Sequence, residues 1–106
     1  MMALAFIEVP FFSIAAVVAD AVAKASGVRI LGFDTSGNEE IVIRAAGGVA
    51  DLSAAMDAAA DCATKLGVKC LSTRLARPDP AFGDLYSAPN AINPLYGGRD
   101  QFLPTD

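Results

Sequence analysis

Residues 11–26 hold only four polar side chains, Ser13, Asp20, Lys24 and Ser26, and Gly27 follows as a C-terminal stop. A helix this apolar on nearly every side must be covered on more than the face that meets its own sheet. The chain is therefore expected to bury this helix against a neighbouring subunit. Its bulk composition agrees: 54% of 106 residues are hydrophobic, more than the interior of one small domain readily hides. A chain of this length forms one core, burying roughly two thirds of its unfolded surface.

The rest of the chain alternates in kind. Residues 4–9 form a short apolar run closed by Pro10, which is read here as lying just inside the helix start, where its missing N–H has no partner to lose. The apolar stretch 3–19 could be taken for a signal peptide or membrane span. Glu8 and Pro10 interrupt it, no Lys or Arg precedes it, and much of it is alanine, so it reads as a buried strand followed by a buried helix. Asp20 and Lys24, four apart with the acid first, make a favourable surface pair.

Residues 28–34 and 40–45 are β-branched and aromatic segments with partial alternation, divided by a turn at Gly37-Asn38. Arg29, Glu40 and Arg44 are spaced to leave one sheet face polar, so helices are expected on the other face only. Gly47-Gly48 breaks the chain before a second helix over residues 49–66, with Asp51 in its first turn. Leu52, Met56, Ala59, Ala63 and Leu66 form its apolar stripe, Gly67 ends it, and residues 68–75 give a fourth strand. The order β-α-β-β-α-β predicts a ferredoxin-like α+β sandwich, two helices on one face of a four-stranded antiparallel sheet.

Charge and composition narrow the function. The net charge is −4 and no run of Lys or Arg marks a phosphate-binding stripe, which argues against nucleic-acid binding. With no histidine, the commonest general base and the commonest metal ligand are both missing, so hydrolytic triads and most zinc sites lose their usual parts. No catalytic residue, metal or cofactor is expected. Cys62 and Cys70 have neither C-x-x-C spacing nor the number for a disulfide scaffold, and they read as reduced, buried thiols of a cytosolic protein.

After Leu75 the character changes. Prolines at 78, 80, 89, 94 and 104 and glycines at 83, 97 and 98 forbid regular elements, while Phe82, Tyr86, Tyr96 and Phe102 supply apolar anchors for docking. The chain accordingly divides into a domain at residues 1–80 and a Pro/Gly/aromatic extension at 81–106. Disorder, docking on the same or a neighbouring subunit, and recruitment of another protein are all open for that extension.

Three stretches carry a family likeness: ADAVAKASGVRILGFD at 19–34, MDAAADCATKLG at 56–67 and RLARPDP at 74–80. In order and spacing they resemble the shell proteins of bacterial microcompartments, in the class with a single BMC domain that forms hexamers. The resemblance implies a cyclic homohexamer that tiles side by side with other shell proteins, a structural rather than enzymatic role, and a cytoplasmic compartment. It also implies that Lys24 and Arg77 lie at the hexamer edge. The loop between the second and third strands, Thr35, Ser36, Gly37, Asn38 and Glu39, would then line a narrow pore for small metabolites on the six-fold axis. Glu39 stands where small residues are usual, and a ring of carboxylates at a constriction attracts cations and repels anions within roughly 8 Å at physiological salt.

The same sandwich also carries regulatory oligomers that bind small molecules between subunits. That alternative stands, although the chain has no phosphate loop and few basic groups to hold an anionic ligand. An acylphosphatase-type enzyme is a third possibility, for which the residues around Val9 offer no anion cradle.

Overall fold

The computed structural model describes residues 2–25 and 27–82. Strand β1 (Ala3–Pro10) leads into helix α1 (Phe12–Ala25), then strands β2 (Arg29–Gly37) and β3 (Glu40–Gly47), helix α2 (Val49–Leu66) and strand β4 (Leu71–Leu75), with a short 3-10 turn over Pro80–Phe82. The four strands form one sheet in the order β2-β3-β1-β4, every neighbouring pair antiparallel. This is the expected ferredoxin-like sandwich.

Side-chain alternation explains where the core sits. Ile7 and Val9 of β1 and Ile41 and Ile43 of β3 point to one face, where they meet Val18 and Val22 of α1 and Ala55 and Ala59 of α2. Fully burying one such Ile or Val contributes about 1.5–3 kcal/mol. Alanines do a different job: Ala15 and Ala19 on α1 share this cluster with Ala55 and Ala59 on α2, and small side chains let two helices approach closely.

Several boundaries differ from the sequence reading, each for a local reason. Pro10 is the last residue of β1, paired with Glu40, and not the opening of the helix; proline suits a strand end because it has no ladder donor to supply. The fourth strand starts at Leu71 rather than at residue 68. Gly67 is left-handed, with φ +75°, and its N–H donates to the Thr64 carbonyl while that of Val68 donates to the Ala63 carbonyl. Val68 is thus consumed in a Schellman cap that closes α2. On α2 the buried stripe is Leu52, Ala55, Ala59 and Ala63, whereas Met56 is only half-buried and Leu66 is exposed.

The open face of the sheet is polar, as expected, and it holds a buried ion pair that the sequence did not show. Arg44 is 4% exposed and its Nε lies 2.7 Å from Oδ2 of Asp34. A bulge makes the pair. Register slips by one residue between Ile30 and Gly32, so Ile30 and Phe33, three apart, both pack on the core, while Gly32 sits opposite Arg44 and Asp34 lies diagonally from it. The missing side chain at Gly32 leaves room for the guanidinium to reach Asp34. Arg29 is exposed and Glu40 half-buried, as a partly polar face requires.

Candidate functional site

The hairpin between β2 and β3 is tighter than a five-residue loop. Thr35, Ser36 and Gly37 belong to β2, Glu40 opens β3, and only Asn38 and Glu39 form the turn. The turn therefore lies one residue beyond Gly37-Asn38. Gly37, Asn38 and Glu39 all have positive φ, +87°, +52° and +69°. Two central residues of that hand make a type I′ turn, whose twist matches the flanking strands. Asn tolerates this backbone; Glu does so at a cost of about 1–2 kcal/mol.

Two hydrogen bonds tie this tip to the end of β1. Ser36 Oγ donates to Glu8 Oε2 at 2.9 Å, and the backbone N–H of Phe11 donates to the carbonyl of Glu39 at 2.7 Å. Phe11 is itself exceptional. Its φ is +66°, and its carbonyl accepts the first bond of α1 from Ala15 N–H, so a phenylalanine holds the N-cap position. That position favours Ser, Thr, Asp or Asn, whose side chains satisfy helix donors, and a left-handed backbone is rare for a bulky residue.

Charge collects at the same end of the sheet. Glu8 and Glu40, with Lys69, Cys70 and Leu71, line a cleft of about 390 Å³, and Glu39 is exposed on the turn beside them. The N-terminus of α1 brings roughly half a positive charge to this region. Three carboxylates against that half charge and one lysine leave the hairpin end acidic. Beside it, Phe12 stacks on Phe33 of β2 with ring centroids 5.6 Å apart.

Lys24 and Arg77 occupy the opposite end. Lys24 is in the last turn of α1, its Nζ 2.8 Å from Asp20 Oδ2, with the side chain 75% exposed. Its pKa is raised by the hydrogen bond and charge of Asp20. Arg77 is exposed two residues past β4, whose last residue, Leu75, pairs with Leu4 at the start of β1. The hairpin adjoins the far end of β1, where Pro10 pairs with Glu40. Eight residues of β1 at about 3.4 Å each separate the two groups by roughly 25 Å along the strand.

Of the anchors named in the extension, Phe82 ends the 3-10 turn, and Tyr86, Tyr96 and Phe102 lie outside the described residues. The thiols of Cys62 and Cys70 are free and half-buried against the core. Among the described residues no group of three or more His, Cys, Asp or Glu is placed to hold a metal ion, and no helix is long and apolar enough to cross a membrane. Sequence reasoning missed Phe11 and Glu8. A phenylalanine directly after Pro10, with no Ser, Thr, Asp or Asn at the cap position, was the available signal for the first; nothing in the sequence paired Glu8 with Ser36.

A four-stranded antiparallel sheet with two helices on one face, a tight acidic hairpin at one end and a lysine and an arginine at the other, defines an α+β sandwich of ferredoxin-like topology. A family model of the BMC domain matches residues 3–78. The chain belongs to the BMC-domain family, the shell proteins of bacterial microcompartments, and that family is structural rather than enzymatic.

Among solved structures the chain is similar to a microcompartment protein from Desulfitobacterium hafniense DCB, with TM-score 0.71 and 22% identity over 87% of this chain. It spans 50% of that protein's length, and at this identity the likeness concerns the fold. No curated protein matches the chain significantly.

Proposed function

We propose that this chain is a non-enzymatic shell subunit that closes into cyclic homohexamers, which tile edge to edge with other shell proteins around a compartment in the bacterial cytoplasm. The observation that carries the proposal is the separation of two groups to opposite ends of one rigid sheet. A ring needs a centre and a rim, and this reading assigns the hairpin of residues 35–39 to the centre and the pair Lys24 and Arg77 to the rim. The exposed apolar surface of α1, with Phe12 63% and Val17 50% accessible, supports contact with a neighbouring copy.

At the centre, Thr35, Ser36, Gly37, Asn38 and Glu39 surround a pore for small metabolites, and the Glu39 carboxylates favour cations over anions. Residues 1–80 form the shell domain, and the extension at 81–106 is kept for docking or for recruitment of an encapsulated enzyme where it is not disordered.

Native mass measurement and electron microscopy together test the assembly. Hexamers that form sheets or tubes are the expected result, and a stable monomer or trimer at micromolar concentration without layers would reject it.

A further inference from the structure

Phe11 breaks two local rules at once. It sits in a left-handed backbone that costs a bulky side chain about 1–3 kcal/mol, and it occupies a helix N-cap without the side-chain oxygen that such a site uses. Glycine would remove the first cost and perform nearly as well at the cap. The ring does not earn its place by burial, since the residue is 48% exposed. Strain of this kind, retained where a smaller residue would relieve it, marks a side chain with a task outside the core.

The position of Phe11 indicates the task. Its amide is bonded to the carbonyl of Glu39 at 2.7 Å, so residue 11 lies directly beside the turn. Aromatic faces attract cations, most strongly those that are poorly hydrated, and a carboxylate beside them adds to the attraction. We infer, building on the hexameric pore reading, that Phe11 is a specificity-determining residue: its rings form an aromatic collar next to the Glu39 carboxylates, and the collar selects small organic ammonium ions over neutral solutes of equal size. Anions are disfavoured twice, by the carboxylates and by the negative faces of the rings.

Assembled shells carrying Phe11→Gly, Phe11→Leu or Glu39→Gln test the inference through the entry rates of tetramethylammonium and tert-butanol, a cation and a neutral solute of similar size. Phe11→Gly is suited to the backbone and is expected to fold with an unchanged or higher thermal midpoint. Phe11→Leu keeps an apolar side chain and removes the aromatic face. Both Phe11 variants should lower the ratio of tetramethylammonium to tert-butanol entry by about fivefold, the equivalent of about 1 kcal/mol of cation–π attraction. An unchanged ratio in both, in shells where Glu39→Gln does alter it, would overturn the role of Phe11 and leave the pore standing. Failure of all three to change the ratio, or absence of hexamers, would overturn the pore and the collar together.

Discussion

Arg44 and Asp34 form an ion pair, Nε to Oδ2 at 2.7 Å, on the sheet face opposite the two helices, with their side chains only 4% and 12% exposed. A charge pair this deep joins β3 to the edge strand β2, and it does so within the strands that carry the hairpin. Its energetic weight lies less in the net value of the pair than in what remains when one member is lost, because a lone buried charge is strongly disfavoured.

Replacing Asp34 by Ala should therefore destabilise the fold by about 3 kcal/mol, read from urea unfolding midpoints. The double variant Asp34→Ala with Arg44→Met should recover much of that loss, since it leaves no uncompensated charge. Equal instability of the single and double variants would show that the backbone bulge, not the charge, is what matters.

Glu39 protrudes at the turn, so neutralising it should alter permeation with little effect on folding. Glu39→Gln shells are expected to admit small anions several-fold faster than the unmodified shells, while neutral solutes enter at an unchanged rate. The contrast should shrink at high salt, where screening shortens the reach of the carboxylates to about 3 Å at 1 M. Identical anion flux in both shells at low salt would remove the electrostatic part of the gate.

Lys24 is exposed at the far end of α1 and its partner Asp20 is on the same helix. Lys24→Ala should leave hexamers intact by native mass measurement and reduce the sheets they form in electron micrographs. Loss of the hexamer itself would place Lys24 inside the ring rather than on its rim.

Cys70 provides a pH-dependent signature. Burial, and then the neighbouring Cys62, hold its pKa above the ordinary thiol value of 9.0. Because the folded value is raised, the associated stability is fully present below about pH 9 and is lost as pH rises through the folded pKa. Iodoacetamide should accordingly modify the native protein more slowly at pH 8 than the unfolded chain, and a Cys70→Ala variant should lose less stability between pH 8 and pH 10. A native rate equal to the unfolded one would contradict the burial of this thiol.

The hydrophobic periods were enough to specify the element order, the single sheet and the side on which the helices pack, because a two-residue and a 3.6-residue repeat leave few ways to bury both. Gly67 likewise announced the end of α2 in advance, since a left-handed cap has a residue preference visible in any sequence. The likeness of residues 19–34, 56–67 and 74–80 to microcompartment shell proteins named the family before any coordinate did.

Long-range geometry was another matter. The bulge at Leu31 and Gly32 shifts register by one residue, and only that shift places Asp34 beside Arg44 and builds a buried ion pair into the polar face. Phe11 shows the same limit: its backbone hand and its bond to Glu39 depend on how β1 ends against a hairpin whose tip lies 28 residues further along the chain. Local propensity is fixed by each residue and its near neighbours, so a sequence displays it directly. Which distant groups meet is decided by strand register and chain reversal, and these are settled only when the whole core packs at once.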